Sequence, residues 1–122
     1  MKFIIGGAYQ GKLNFAKTEY GMTDIYECKG PEIDFSHPLI YGIEKFCLYC
    51  VKEGIEAKDY FESRKPMWEN SVLICEDIFC GVVPLEAENR AWREMTGRLC
   101  AYLTSEADEV NRMFCGLSQK LK

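Results

Sequence analysis

The feature that most constrains this chain is a glycine-rich segment close to its start. The apolar residues 3–5 lead into Gly6, and four residues further on stand Gly11 and Lys12. This G-x-x-x-x-G-K spacing is typical of the phosphate-binding loop that joins a first β-strand to the helix after it. The backbone N–H groups of such a loop surround phosphates, and the lysine adds a positive charge. The segment therefore predicts an α/β fold with a phosphate site over residues 6–13.

The eight residues of this loop are the candidate nucleotide contacts, and Lys12 is also a candidate catalytic residue. The motif normally continues with Ser or Thr, whose hydroxyl binds Mg²⁺. This chain has a leucine there, so either another oxygen binds the metal or no catalytic metal is held. A glycine turn without a ligand is the alternative interpretation. The candidate contacts are Gly6, Gly7, Ala8, Tyr9, Gln10, Gly11, Lys12 and Leu13.

Length and charge exclude several other classes of protein. A chain of 122 residues is expected to form a single domain over residues 1–122. A net charge of −4 without a basic stripe argues against a nucleic-acid partner, which requires clustered Lys and Arg. The apolar runs are too short to cross a bilayer, and the start lacks the pattern of a secretion signal. We therefore expect a cytoplasmic protein with no membrane partner.

The chain contains seven cysteines, an odd and unusually high number for its length. They are spread through apparent strands and helices, which favours reduced and mostly buried thiols. Cys47 and Cys50 have the spacing of a redox or metal site, but no second pair accompanies them and His37 is the only histidine. The alternative is that the two thiols share one face of a helix.

Hydrophobic periodicity predicts alternating strands and helices along the rest of the chain. Such an order requires a mostly parallel sheet with helices on both faces. We therefore expect a three-layer α/β sandwich of the P-loop NTPase type, reduced in strand number. The predicted strands are residues 1–5, 23–28, 71–75 and 110–115, with a possible edge strand in 117–122, and the predicted helices are residues 13–20, 39–52, 55–64 and 86–107.

Two strand ends carry carboxylates of interest. In a phosphate-loop fold, a strand beside the first one supplies a carboxylate that orients Mg²⁺ and its waters. Glu27, at the end of the second predicted strand, is the candidate for this role, and Asp34 is the second choice. Asp77 follows Glu76 after strand 71–75, at the strand end where open α/β sheets bind ligands. Each of these carboxylates is alternatively an ordinary surface charge.

The second half of the chain resembles one enzyme family in its sequence of landmarks. These landmarks are G-V-V-P at 81–84, E-N-R at 88–90, R-E-M-T-G-R at 93–98 and A-D-E-V at 107–110. They are similar to those of the bifunctional adenosylcobinamide kinase/adenosylcobinamide-phosphate guanylyltransferases of cobalamin assembly. The family's T-G-G-A-R-S-G-K-S loop resembles residues 6–13, and its acidic strand end resembles residues 27–28. The resemblance covers about residues 1–28 and 70–122.

This resemblance implies binding of ATP or GTP with Mg²⁺, phosphoryl transfer to a corrinoid alcohol, and a homo-oligomer. Lys12 would bind phosphate, and Glu27 and Asp77 would hold the metal. Family members are longer, however, and the segment with the histidine that becomes guanylylated is missing here; His37 stands in a different place. We therefore expect guanylyl transfer to be lost. The alternative is a catalytically inactive relative that acts as a binding or interaction protein.

Overall fold

The structure, a computed structural model, describes residues 1–7, 11–78 and 86–122. Its centre is a sheet of six strands in the order β2-β3-β4-β1-β5-β6. Strands β1 to β5 run parallel, and β6 is antiparallel to β5. The predicted α/β class and mostly parallel sheet are thus confirmed. The strands are β1 (Lys2–Gly6), β2 (Ile25–Glu27), β3 (Leu39–Tyr41), β4 (Val72–Glu76), β5 (Glu109–Phe114) and β6 (Leu117–Lys120).

Helices cover both faces of this sheet, as predicted. Alternate strand residues point to opposite faces, and accordingly Phe3 packs in one core cluster and Ile4 in the other. The first face is covered by α2, α3 and α5, and the second by α1. The helices in the described part of the chain are α1 (Lys12–Tyr20), α2 (Ile43–Glu53), α3 (Ala57–Glu62), α4 (Lys65–Trp68) and α5 (Ala87–Glu106).

The face under α2, α3 and α5 carries the larger core, which we call the major face. Phe61 lies at its centre and meets Phe46 edge to face, with ring centroids 5.6 Å apart. Trp68 is fully buried, and its indole Nε1 donates a hydrogen bond of 2.8 Å to the carbonyl oxygen of Phe61. These large aromatic side chains pack against one another, and the polar Nε1 of Trp68 has its hydrogen-bond partner. They therefore fix the positions of α2, α3 and α4 against the sheet.

The face under α1, the minor face, is covered more thinly. Its cluster has six buried residues, and Ala16 is the only fully buried residue that α1 supplies among those described. Phe15 and Leu13 are only partly buried against it. The helix that begins at the phosphate loop is therefore held by few apolar contacts.

The structure corrects one prediction with consequences for the site. Residues 39–41 were expected to begin a long helix, but they form strand β3, and α2 begins only at Ile43. Leu39 and Ile40 are fully buried on opposite faces, as in a parallel strand covered on both sides. A short run that is apolar on both sides has no strand periodicity to detect. Gly42, with φ of +79°, makes the turn between β3 and α2.

The remaining predicted elements are found within one to three residues, with one further difference. Pro66 was expected to end the helix of residues 55–64, but it also lies in the first turn of α4, where its missing N–H costs nothing. The predicted edge strand is confirmed as β6, reached by a hairpin turn at Cys115 and Gly116, both with positive φ. No helix in the described ranges is long and apolar enough to span a membrane.

Candidate functional site

The candidate site is a cleft at the carboxyl edge of the sheet. Parallel strands end at one edge, and the register pairs Gly6 of β1 with Glu76 of β4 and Tyr41 of β3 with Ile74. The first turn of α1, the β3–α2 turn and the end of β4 therefore meet, and they enclose about 460 Å³. The cleft is lined by Gly11, Lys12, Leu13, Asn14, Tyr41, Gly42, Glu44, Lys45, Ile74 and Glu76.

The two motif glycines are required for different physical reasons. A Cβ at Gly6 would lie 2.7 Å from the carbonyl oxygen of Met113 on β5, so Gly6 allows two strands to pack closely. Gly11 has φ of +84°, a conformation that side chains disfavour. It is the residue at which the chain turns into α1. Gly11 thus shapes the loop itself, whereas Gly6 also serves the sheet.

Lys12 begins α1 and lines the cleft. Its Nζ donates a hydrogen bond of 2.6 Å to the carbonyl oxygen of Gly7, so the ammonium group lies over the loop. The first turn of α1, from Gly11 to Asn14, forms one wall of the cleft, which brings the positive end of the helix to it. Leu13 belongs to that wall and presents carbon where the motif normally has a hydroxyl.

Three of the predicted contact residues, Ala8, Tyr9 and Gln10, lie outside the described residues. The same is true of the G-V-V-P landmark at 81–84 and of Cys80. The roles of Ala8, Tyr9 and Gln10 as nucleotide contacts stay predictions.

We expected Glu27 to lie beside the first strand, and the structure does not place it there. Its strand β2 is an edge strand, separated from β1 by the unpredicted strand β3 and by β4. The Glu27 carboxylate accepts a hydrogen bond of 2.7 Å from Lys45 Nζ. This hydrogen bond, with a second from Tyr41, lowers the pKa of Glu27. Glu27 would therefore have to leave Lys45 before it could bind a metal in the cleft.

Asp34 and His37 lie near the other end of the sheet. Both precede β3, whose first residue pairs with the first residue of β4, so they are at the amino edge. His37 Nδ1 forms a hydrogen bond with Asp24, which raises the pKa of the imidazole. Neither Asp34 nor His37 lines the cleft, so His37 is not positioned for the role of the family's histidine.

Glu76 is the last residue of β4, which lies beside β1, and Asp77 follows it. The backbone N–H of Asp77 donates to the carbonyl oxygen of Gly6 at 2.6 Å, which ties the two strand ends together. Glu76 lines the cleft. The role of Asp77 as a metal ligand and catalytic residue stays a prediction.

The sequence did not single out Glu44, although it is the most buried carboxylate among the described residues, with 6% of its surface exposed. Its Oε1 accepts a hydrogen bond of 2.9 Å from the backbone N–H of Glu76. Its carbonyl oxygen accepts one of 2.7 Å from Trp92 Nε1. Within a predicted helix of residues 39–52 it looked like an ordinary surface charge. Recognising β3 and the turn at Gly42 would have placed it at the carboxyl edge.

The positions of Cys47 and Cys50 support the interpretation that the two thiols share one face of a helix. Cys47 and Cys50 are both fully buried on the inner face of α2, and burial raises the pKa of Cys50 to about 12. Buried thiols of this kind are poor nucleophiles and metal ligands. Within the described ranges, no group of three or more His, Cys, Asp and Glu side chains could hold a metal ion.

Comparison with known proteins identifies the family. A family model described as cobinamide kinase / cobinamide phosphate guanyltransferase matches residues 51–121, which is more than half of the chain. The match spans β4, α5 and the hairpin of β5 and β6, and it does not include the phosphate loop. No curated protein sequence matches the chain. The chain belongs to the cobinamide kinase / cobinamide phosphate guanyltransferase family.

Proposed function

We propose that this protein binds ATP or GTP in the carboxyl-edge cleft and transfers the terminal phosphoryl group to the alcohol of a corrinoid, as a step of cobalamin biosynthesis. The observation that carries the proposal is the meeting of Gly11, Lys12 and Glu76 in one cleft. Membership of a family of cobinamide kinases supplies the acceptor class. In the reaction, the alcohol oxygen bonds to the γ-phosphorus, the bond to the β-phosphate oxygen breaks, and ADP or GDP leaves.

The phosphates would lie against residues 6–13 and the first turn of α1. Lys12 Nζ, which donates a hydrogen bond to the carbonyl oxygen of Gly7, would turn from that oxygen to a phosphate oxygen. Phosphoryl transfer relies on positioning and charge stabilisation. A lysine and a helix N-terminus on one wall provide both without a covalent intermediate.

The donor set of the cleft fits a metal that arrives with the nucleotide. Mg²⁺ is usually held by one or two carboxylates together with substrate phosphates and waters. Glu44 and Glu76 line the cleft, and Asp77 follows directly at the end of β4. When bound, the ion would neutralise charge on the β- and γ-phosphates. Leu13 would contribute nothing to it, so the carboxylates would carry the role of the missing hydroxyl.

We further propose that guanylyl transfer is absent. A covalent guanylyl intermediate needs a nucleophile within reach of the α-phosphorus. The chain's one histidine is His37, at the amino edge of the sheet.

We propose that the chain acts as a cytoplasmic single-domain protein and, following its family, as a homo-oligomer. The inner face of α2, including Phe46, is already buried within the chain, so only its outer residues, such as Tyr49, are available to a second copy.

A second candidate function, nucleotide or partner binding without turnover, is favoured by two observations. Leu13 removes the usual metal hydroxyl, and the Glu27 carboxylate is paired with Lys45. An inactive relative would bind nucleotide yet form no phosphorylated corrinoid.

Calorimetric titration of the full chain with ATP and with GTP, each with and without Mg²⁺, tests binding. We expect heat of binding with at least one nucleotide. Lys12→Ala should weaken it by about 1.5–3 kcal/mol, the value of a hydrogen bond to a charged group. Lys52→Ala, which removes the same charge from the exposed end of α2, is the control and should bind as the wild type does.

Incubation with cobinamide and the bound nucleotide then separates the two candidates. Mass-spectrometric detection of cobinamide phosphate together with ADP or GDP supports the kinase, whereas binding without product supports the inactive relative. No binding of either nucleotide contradicts the kinase and leaves only an inactive relative that binds a partner.

A further inference from the structure

We propose that Glu44 makes nucleotide binding in this cleft dependent on a divalent cation and takes over, from the opposite wall, the metal-binding position that Leu13 has lost. This inference rests on the proposed function, because it concerns the same cleft.

The Glu44 carboxylate is held in one place. Its Oε1 is fixed by the backbone N–H of Glu76 at 2.9 Å, and the first turn of α2 is fixed by the hydrogen bond from Trp92 on α5. Only 6% of the residue is exposed, so water screens its charge less than that of a surface carboxylate. A buried, oriented carboxylate at the edge of a phosphate site has a strong and directed effect on an incoming anion.

The charged side chains that line the cleft do not favour binding of a nucleotide without a metal ion. Among the described lining residues, Glu44 and Glu76 are acidic, and Lys12 and Lys45 are basic. Lys45 already forms a hydrogen-bonded ion pair with the Glu27 carboxylate at 2.7 Å. Lys12 then faces two carboxylates and a triphosphate that are all negative. A divalent cation between the carboxylates and the phosphates removes this repulsion.

The position of Glu44 also allows it to replace the metal-binding hydroxyl that is absent at Leu13. Leu13 lines the cleft from α1, and Glu44 lines it from α2. In the usual motif the hydroxyl of α1 contributes one oxygen to the metal. Here an oxygen comes from the first turn of α2, which lines the same cleft.

The test compares the affinity for GTP and for ATP in Mg²⁺ with the affinity in EDTA, measured by calorimetry on the full chain. Glu44→Gln removes the charge but keeps an Oε1 that accepts the hydrogen bond from Glu76. We expect the Mg²⁺/EDTA affinity ratio to fall by about tenfold or more, with tighter binding in EDTA and weaker binding in Mg²⁺. Glu56→Gln removes the same charge from an ion pair with Arg98, outside the residues that line the cleft, and should keep the wild-type ratio.

The outcomes separate this inference from the proposed function. Wild-type binding with an unchanged ratio in Glu44→Gln overturns the inference and leaves the proposed function standing. No binding by the wild type in either condition overturns both. If circular dichroism shows that Glu44→Gln does not fold, the affinity ratio of the wild type decides. Wild-type binding that is equally tight in Mg²⁺ and in EDTA overturns the inference.

Discussion

The two faces of the sheet differ in how strongly they are packed and in what they contribute. The major face holds Phe46, Phe61 and Trp68, all fully buried, beneath three helices. The minor face has a cluster of six buried residues beneath α1. The family match begins within α2 and continues to residue 121, so it includes α3 and α5 of the major face, whereas α1 and the phosphate loop lie outside it. Most of the apolar core therefore lies apart from the helix that would bind phosphate, whereas the carboxylates of the cleft lie on elements that this core supports.

Matched phenylalanine substitutions should show the difference most clearly. Phe61→Ala empties the centre of the major face and should lower the free energy of unfolding by about 3–5 kcal/mol. Phe15→Ala removes a partly buried ring that packs beside Tyr20 on the minor face and should cost about 1 kcal/mol. Urea denaturation followed by circular dichroism measures both. Equal losses would mean that α1 contributes as much as the larger core.

A smaller effect is expected at the strand that leads into the phosphate loop. Gly6→Ala places a Cβ 2.7 Å from the Met113 carbonyl oxygen, and separating β1 from β5 should cost about 1–3 kcal/mol. Gly30→Ala is the control, because a Cβ there meets nothing within 4 Å. The midpoint of thermal unfolding for the two variants checks this. A Gly6→Ala protein as stable as Gly30→Ala would show that the sheet does not require this glycine.

The smallest effect concerns the amino edge of the sheet. The hydrogen bond to Asp24 raises the pKa of His37 above the ordinary imidazole value of 6.5. The pair of charged side chains therefore makes its full contribution to stability below pH 6.5. The contribution is lost as the pH rises through the folded-state pKa. Asp24→Asn should therefore destabilise the protein more at about pH 5.5 than at about pH 8.5. Urea midpoints at the two pH values measure it, and a larger loss at the higher pH would have the wrong sign.

The sequence predicted most of the fold because most of its signals are local. Strand β4 and helix α5 have clear boundaries and periodicity, and both were found as expected. The first error, at β3, has a physical cause: Leu39 and Ile40 are buried on both sides, which leaves no alternation to read. That error concealed Glu44, whereas the expectation that Glu27 lies beside β1 came from the phosphate-loop pattern and not from a local signal.

The site could be predicted only where one segment supplies it. Gly11 and Lys12 are recognisable because their spacing in the chain reflects the loop they form. Glu44 and Glu76 meet through strand order, which depends on long-range pairing that a local pattern does not encode. Carboxylates that converge from different strands therefore need the structure.

The central proposal is that the loop of residues 6–13 still binds a nucleoside triphosphate beside Glu44 and Glu76. Crystals grown with Mg²⁺ and a non-hydrolysable analogue of GTP or ATP test it most directly. We expect the β- and γ-phosphates over the first turn of α1, with Lys12 Nζ moved from the Gly7 carbonyl oxygen to a phosphate oxygen. A cleft in which the Leu13 side chain fills the phosphate position, with no analogue bound there, would contradict the claim.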